Sequence, residues 1–370
     1  MKKQLLKLFL AGDVMTGRGI DQIMPVPSKP RLYESCVIDA RDYIALAEGK
    51  AGPIPRQVSG DYIWGDALAE LDRFNPDVRI VNLETSVTTA GKPWPGKGIH
   101  YRMHPDNLAC LSAARLDICG LANNHVLDWG REGLAETLRV LHTAGLLTPG
   151  AGLDEMEARS PAAFRLPGGG RLLVVACGLA SSGIPEDWAA GPGRSGVFLL
   201  PGLDNQSVKA IARIFEQARQ PGDRVLVSVH WGGNWGYYVE DEDRSFARRL
   251  IDEAGADVVH GHSSHHPRGM EVWNGRLILY GCGDLLNDYE GIRGYEGFHP
   301  ELSLLYLPTI DADTGLLKSL QMVPMRMERF RLNHANEGEV MWLQDRLNEV
   351  CRDYGTALER TANGSFELVW

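Results

Sequence analysis

The sequence has little that would suit a membrane or a nucleic acid. None of its apolar runs approaches the roughly 20 residues that cross a bilayer as a helix. Its 38 Lys and Arg are outnumbered by 48 Asp and Glu, and no basic cluster could displace counterions from a phosphate backbone. The lysine-rich start runs directly into a strand-like segment, so we expect no signal peptide or anchor. We therefore expect a cytoplasmic protein with no nucleic-acid or membrane partner, and the oligomeric state stays open.

Cysteine is also sparse and has no metal-binding spacing. The 370 residues contain six cysteines, and no two of them form a C-x-x-C motif. At least three lie in apolar, strand-like runs, where a reduced thiol packs as a small hydrophobic side chain. Structural thiols are therefore expected rather than a cysteine metal site.

What the sequence does contain is the composition of an average folded globular protein, with 44% hydrophobic and 23% charged residues. Short β-branched runs alternate with amphipathic patterns, and this alternation predicts an α/β fold with parallel or mixed sheets. The predicted strands cover residues 7–11, 78–83, 116–121, 171–177, 225–229, 256–259 and 277–280, and the clearest predicted helices cover 133–144, 204–218 and 244–254.

Two stretches depart from this alternation. Residues 25–60 are rich in Pro, Gly and polar side chains without a clear strand, which predicts an inserted loop and a candidate lid. Residues 1–300 are expected to form the main domain, and residues 301–370 a C-terminal extension packed on it. The extension is predicted to contain a hairpin over 302–307 and 317–325, a helix over 337–354 and a last strand over 366–370.

Metal-competent side chains follow five of the predicted strands. They are Asp13, Glu84, Asn124 with His125, His230, and the group His260, His262, His265 and His266. Ligands bind at the carboxyl ends of strands in open α/β sheets, so we expect these residues to converge. Carboxylates, an amide and imidazoles form an oxygen and nitrogen donor set that suits Zn, Mn or Fe better than Ca.

Each of these residues also has a structural alternative. Asp13 follows a glycine and could cap a turn or helix, and Glu84 could be a solvated rim residue. Asn124 could cap a helix while His125 fills the core, and one or two of the four clustered histidines are expected at the surface. The metal hypothesis is stronger for the whole set, because five separate strand ends share the same property.

The order of these segments from about Leu8 to Asp288 resembles the CapA family of poly-γ-glutamate capsule synthesis proteins, whose domain is similar to calcineurin-like metallophosphoesterases. The motifs that carry the resemblance are Gly12-Asp13-Val14-Met15-Thr16-Gly17-Arg18, Asn82-Leu83-Glu84-Thr85, Ala122-Asn123-Asn124-His125-Val126-Leu127-Asp128-Trp129-Gly130, His230-Trp231-Gly232, and Gly255-Ala256-Asp257-Val258-Val259 followed by Gly261-His262. The motifs are specific as a set, although each is weak alone.

The resemblance implies a four-layer α-β-β-α sandwich with two mixed β-sheets and a metallophosphoesterase-like site at one edge. It assigns the bridging carboxylate to Glu84, the rest of one metal position to Asp13 and His265, and the other position to Asn124, His230 and His262. It also implies that His125 steadies the transition state or protonates the leaving group. Arg18, just past Asp13, is a candidate to hold an anionic group of the substrate bidentately, with an ordinary surface arginine as the alternative.

The sequence departs from the family pattern at three places. Met15 stands where a phosphoesterase offers His, and a thioether is a poor ligand for a hard divalent ion. We therefore expect one tightly held Mn, Zn or Fe ion and a second, weaker one. Gly233-Asn234 replaces a glutamate-bearing turn, and Ser263-Ser264 replaces His-Pro. The segment from Gly281 to Asp288 is expected at the rim of the site or in a structural role.

Two functional hypotheses follow. The first is a metal-dependent hydrolase that cleaves a phosphoester or a γ-glutamyl or other amide-type bond in a small-molecule or polymer substrate with anionic groups. The second is a non-catalytic accessory protein that binds poly-γ-glutamate or a synthase. The metal-type residues favour the first, and the family name favours the second. An ordinary nucleotide-binding domain is excluded, because no G-x-G-x-x-G or G-x-x-x-x-G-K-[ST] motif lies at a strand–helix junction.

Overall fold

The computed structural model describes residues 5–35 and 37–370, so Cys36 lies outside the described residues. The strands are β1 (Leu5–Val14), β2 (Val78–Leu83), β3 (Ser86–Val87), β4 (Arg102–Met103), β5 (Ile118–Gly120), β6 (Ala151–Gly152), β7 (Ala162–Arg165), β8 (Arg171–Gly178), β9 (Gly196–Val197), β10 (Arg224–His230), β11 (Val258–His262), β12 (Met270–Trp273), β13 (Arg276–Leu279), β14 (Asp284–Leu286), β15 (Leu302–Asp311), β16 (Leu317–Met327), β17 (Leu332–His334), β18 (Ala357–Arg360) and β19 (Phe366–Val369). The helices are α1 (Arg18–Ile23), α2 (Arg41–Ala51), α3 (Ala67–Phe74), α4 (Ala109–Ala113), α5 (Gly130–Thr143), α6 (Glu155–Arg159), α7 (Asn205–Ala218), α8 (Asp241–Asp252) and α9 (Glu337–Cys351).

Two mixed sheets organise the described chain. The larger has the order β18-β19-β16-β15-β1-β2-β5, with β14 paired to β1 and β17 to β16. The smaller has the order β12-β13-β11-β10-β8-β7. Strands β1, β2 and β5 are mutually parallel, and so are β8, β10, β11 and β13. Their carboxyl ends therefore collect on one side of each sheet, and the predicted α/β class is confirmed.

Side-chain alternation along the strands divides the core into three apolar clusters. Leu8 and Leu10 of β1 share one cluster with Val174 of β8 and Leu226 of β10, so this cluster lies between the two sheets. The opposite faces of the larger and smaller sheets are covered mainly by helices, in clusters that include α3 and α5 for the larger sheet and α7 and α8 for the smaller. Helix α9 adds its apolar face to the cluster between the sheets.

Most of the predicted elements are present with shifted ends. Residues 25–60 differ from the prediction, because they contain the eleven-residue helix α2. Tyr43, Ile44 and Ala47 form its buried face, but the Pro- and Gly-rich flanks obscured this short pattern. The predicted C-terminal hairpin, helix and last strand correspond to β15, β16, α9 and β19.

The C-terminal residues complete the larger sheet. Strand β15 runs antiparallel to β1, with Leu6 opposite Ile310, and β16 pairs with β15. Within the described residues, no helix is long and apolar enough to span a bilayer. The five described cysteines are buried and unpaired.

Candidate metal centre

Strand register brings the predicted residues together. Asp13 near the end of β1 is paired with Asn82 of β2 and with Asp284 at the start of β14. In the smaller sheet, His230 and His262 end the parallel strands β10 and β11 and are directly opposite each other. The two sheets meet here, so donors from both face the same buried volume.

The first group of possible metal ligands contains Asp13, His230 and His262, with one donor atom from each within 4.8 Å of the others. The two imidazoles approach closely, since His230 Nδ1 lies 2.8 Å from His262 Nδ1. His262 Nδ1 lies 4.0 Å from Asp13 Oδ1. Glu84 Oε2 and Asn124 Oδ1 lie 3.8 Å and 3.2 Å from His230 Nε2. The five strand-end residues are therefore contiguous.

A second group contains Asp13, His265 and Asp284. His265 Nδ1 lies 2.8 Å from Asp284 Oδ1. Asp13 is thus the carboxylate common to both groups, whereas the family resemblance gives the bridging role to Glu84. Asp284 was expected only at the rim of the site or in a structural role, although its position just after the strand predicted at 277–280 was a usable signal.

An asparagine that sequence analysis missed positions two of the carboxylates. Asn82 Nδ2 donates to Asp13 Oδ1 at 2.8 Å and to Glu84 Oε2 at 2.9 Å. Asn123 Nδ2 in turn donates to Asn82 Oδ1 at 2.9 Å. Asn82 could have been recognised from its spacing, because it precedes Glu84 by two residues and residues two apart in a strand point to the same face.

The buried carboxylates hold protons more tightly than usual. Burial, followed by the charge of Asp284, raises the pKa of Asp13 to about 7. Burial and the charges of Asp13 and Asp284 raise the pKa of Glu84 well above its ordinary value. Burial lowers the pKa of both His230 and His262 well below the ordinary value, so both imidazoles are neutral. The cluster therefore combines crowded acids with neutral nitrogen donors, which favours a bound cation.

A divalent cation fits this donor set by a structural criterion. Asp13 Oδ2 is buried and has no hydrogen-bond partner among the described residues. A buried carboxylate oxygen without a partner is costly, and a metal ion would satisfy it. The oxygen and imidazole donors match Zn, Mn or Fe.

His125 is oriented beside the cluster by two side chains. Its Nδ1 lies 2.7 Å from Asp128 Oδ2 and 3.0 Å from Lys97 Nζ, and its Nε2 lies 3.9 Å from Glu84 Oε1. Burial, opposed by Asp128, lowers the pKa of His125 to about 4. Asp128 follows three residues later and could have been found, whereas Lys97 in a Gly- and Pro-rich loop gave no signal.

The guanidinium group of Arg18 is already engaged inside the protein. Its Nε and one Nη atom bind both oxygens of Asp288, and the other Nη donates to Glu34 at 3.0 Å. The group also lies over the rings of Tyr43 and Tyr101, 4.0 Å and 4.3 Å from their centroids. The fork that sequence analysis assigned to a substrate anion thus faces Asp288 in the structure.

One further expectation, about the clustered histidines, is changed by the structure. One or two of the four clustered histidines were expected at the surface, but all four are buried. His260 is a core histidine whose Nε2 lies 2.9 Å from Ala11 O, so it connects the two sheets. Met15 is also buried, and its Sδ accepts a hydrogen bond from the Tyr289 hydroxyl at 3.8 Å.

The segment at 25–60 reaches the same edge as the cluster. Glu34 and Tyr43 of this segment contact Arg18, and Tyr43 borders a cavity that His265 also lines. Tyr33 packs edge-on against His100 and Trp129. The segment therefore contacts Arg18 and borders the cavity, and its role as a lid stays a prediction.

Comparison with known proteins finds similarity to bacterial capsule synthesis proteins. The sequence model of the family described as bacterial capsule synthesis protein PGA_cap matches residues 7–289. The chain is 45% identical over 367 residues to a Mycobacterium tuberculosis protein named a probable polyglutamine synthesis accessory protein, covering 99% of this chain and 96% of the relative. It is 27% identical over 285 residues to the PGA biosynthesis protein CapA of Bacillus subtilis, covering 77% and 64%. It is 24% identical over 196 residues to the capsule biosynthesis protein CapA of Bacillus anthracis, covering 52% and 45%.

Proposed function

The chain belongs to the bacterial capsule synthesis protein family, and from this we propose that it is a metal-dependent hydrolase of capsule-type or polyglutamate metabolism. The bond would be a phosphoester or a γ-glutamyl or other amide-type bond in a substrate with anionic groups. A cytoplasmic location and the absence of nucleic-acid and membrane partners belong to the same proposal. So does a four-layer sandwich, which the three apolar clusters support.

The observation that carries the proposal is the crowding of three buried carboxylates, Asp13, Glu84 and Asp284, against neutral imidazoles. A protein that only bound a polymer would gain nothing from this costly arrangement. Asp13, His230 and His262, with Glu84 and Asn124 beside them, would hold one Zn, Mn or Fe ion tightly. Asp13, His265 and Asp284 would hold a second, weaker one. A divalent ion bound there would supply Lewis-acid chemistry to the reacting bond.

The residues of the chain would then move the proton. In the neutral His125 ring, Nδ1 carries the hydrogen and donates it to Asp128. The other nitrogen, Nε2, then has a free lone pair and lies on the side of Glu84 and the cluster. That nitrogen can accept a proton from the water that attacks the scissile bond and donate it to the leaving group, which returns the ring to its neutral state. Asp128 would keep the ring in this tautomer and orientation.

Elemental analysis of the protein purified without added metal tests this proposal. We expect about one equivalent of a transition metal, which His230→Ala removes, since the tight position loses a nitrogen ligand. His142→Ala changes an exposed histidine outside the cluster and serves as the control. A metal content near zero that Mn or Zn loading does not change would contradict the proposal. Two ions bound with equal affinity would contradict the prediction that one position binds more tightly than the other.

An accessory role is the second candidate, and the name of the Mycobacterium tuberculosis relative favours it. Incubating the metal-loaded protein with poly-γ-glutamate and with a simple phosphodiester separates the two functions. Shortened polymer or released alcohol, lost in His125→Ala, supports a hydrolase. Binding of poly-γ-glutamate without cleavage of either compound supports the accessory role.

A further inference from the structure

A cavity of about 250 Å³ adjoins the second ligand group. His265 connects the two, since its ring lines the cavity and its Nδ1 belongs to the ligand group. The volume lies below the roughly 300–1,000 Å³ of sites for drug-sized ligands, so it suits a single ring. The rest of the lining includes Ile99, Asn234, Trp235, Tyr289, Tyr295 and Pro300.

The lining offers no uncompensated positive charge among the described residues. Besides His265, the cationic side chain in the lining is Arg18, whose guanidinium is bound to Asp288 and Glu34. The side chain of Arg18 is 2% exposed, so these partners are not exchanged for solvent. A second anionic group of a substrate would therefore find no free cation in this cavity.

Flat apolar surface forms one wall instead. Trp235 stacks on Tyr295 with ring centroids 4.1 Å apart and an angle of 9° between the planes. The Trp235 ring also lies 5.3 Å from the His265 ring. Tyr295 and Ile99 remain 42% and 44% exposed, so the wall is accessible from solvent. Aromatic side chains in such a wall pack offset or edge-on against other uncharged rings.

We propose that this cavity binds an uncharged ring, aromatic or pyranose, which the substrate carries next to its anionic, scissile group. The inference rests on the proposed function only in placing that anionic group at the metal cluster. Because the ligand group and the cavity share His265, the ring and the anion would be directly linked. The preferred substrate would thus be a ring-bearing ester or amide rather than a simple polyanion.

Titration calorimetry of the metal-loaded protein tests the proposal with phenylphosphonate and methylphosphonate, which share an anionic group and have no hydrolysable ester bond. We expect phenylphosphonate to bind at least about tenfold more tightly, because the ring becomes buried. Trp235→Leu should abolish most of this difference and leave methylphosphonate affinity and metal content unchanged, while Trp235→Phe should retain it. Trp370→Leu, at an exposed tryptophan, is the matched control.

The outcomes separate this inference from the proposed function. Equal affinities for the two phosphonates, with glucose 1-phosphate no tighter than methylphosphonate, would overturn the ring site. Glucose 1-phosphate binding tighter than phenylphosphonate would identify the ring as a pyranose. If neither phosphonate binds, the phosphoester function fails, and phenol alone then tests the cavity: binding that Trp235→Leu removes supports the ring site, and no binding overturns it.

Discussion

At the scale of single residues, the candidate site is characterised by crowded acidic groups, whose burial and proximity raise the pKa of Asp13 to about 7 and that of Glu84 well above its ordinary value. Asp13, Glu84 and Asp284 are buried together, and Asp13 Oδ2 is left without a partner among the described residues. Like charges about 4 Å apart repel by about 4 kcal/mol at the effective dielectric near a protein surface. Such an arrangement persists only where the surrounding structure, or a bound cation, offsets its cost.

The variant Asp13→Asn separates the cost of the crowded carboxylates from the stabilisation that a bound cation provides. In protein stripped with a chelator, we expect the free energy of unfolding to rise by about 1–3 kcal/mol, because one of three crowded carboxylates is removed. Addition of Mn or Zn should stabilise the native protein, by about 2.7 kcal/mol at a metal concentration of 100 Kd, but not the variant. Urea unfolding with and without metal measures both quantities.

The matched control for that experiment is Asp21→Asn. Asp21 is a buried carboxylate outside the cluster that accepts hydrogen bonds from Ser28 N, His104 N and Asn107 Nδ2. Its replacement should lower stability without changing the response to metal. Equal stabilisation of native protein and Asp13→Asn by metal would exclude Asp13 as a ligand.

At the scale of secondary-structure elements, the approach of backbone to backbone sets the geometry of the site. Asp13 N donates to Gly283 O at 3.0 Å, which joins β1 to the turn before β14. A Cβ atom on Gly12 would lie 1.9 Å from Gly283 O. This contact holds Asp13 and Asp284 in register, so the second ligand group depends on glycine at position 12.

Gly12→Ala should therefore cost more than about 3 kcal/mol of unfolding free energy, since the two backbones must separate. Gly49→Ala is the control, because it lies in α2 with open space around it and should stabilise the helix by about 0.5–1 kcal/mol. Urea denaturation distinguishes them. Similar stabilities of the two variants would mean that the β1–β14 contact is not tight.

Another connection between elements depends on pH. Asp223 accepts hydrogen bonds from Arg171 N at the start of β8 and from Gln220 N after α7. Burial raises its pKa, but the hydrogen bond and charge of the Arg171 side chain, together with the hydrogen bonds from Gln220 N and Arg171 N, outweigh burial, so the net pKa is lowered. A carboxyl group with a lowered folded-state pKa contributes stability above its unfolded pKa, near 4, and this contribution is lost as pH falls through the folded-state pKa.

Asp223→Asn should accordingly reduce the unfolding free energy by about 1–2 kcal/mol at pH 7. The difference from the native protein should shrink as the pH falls below about 4, because the native carboxylate then becomes protonated. Denaturant unfolding of both proteins at pH values from about 7 to below about 4 measures this difference in unfolding free energy. Asp345→Asn, at an exposed position of α9, should show little change at any pH, and a pH-independent difference for Asp223→Asn would refute the role of the charge.

At the scale of the whole molecule, the C-terminal fifth of the chain, residues 301–370, is part of the core. The family model ends at residue 289, yet β15 supplies the antiparallel neighbour of β1. Leu304, Tyr306 and Met322 belong to the apolar cluster between the sheets. The strand that carries Asp13 would have an open edge without these residues.

A chain that ends at residue 300 should therefore lack a cooperative unfolding transition and bind no tight metal, because β1 loses its partner and the central cluster is exposed. Circular dichroism during thermal unfolding, with elemental analysis, checks this. Met341→Ala in the full chain, at an exposed position of α9, controls for changes in that region that do not touch the core. A truncated chain that unfolds cooperatively with its metal would show that residues 301–370 are dispensable.

The sequence by itself determined the α/β class, most strands and helices, and the strand ends that carry Asp13, Glu84, Asn124, His230 and His262. These features depend on local periodicity and on which residue follows a buried run, and both can be seen within about ten residues. Helix α2 was the exception, because its short apolar face stands between Pro- and Gly-rich flanks.

Only the tertiary structure decided how distant segments meet. The pairing of β14 with β1 made Asp284 a neighbour of Asp13, and it made Asp13 the carboxylate shared by both ligand groups. Asp288 lies 270 residues from Arg18 in sequence, yet it binds the Arg18 guanidinium, which the local sequence had suggested would bind a substrate. Such contacts depend on strand register and on the packing of two sheets, which no local pattern of residues encodes.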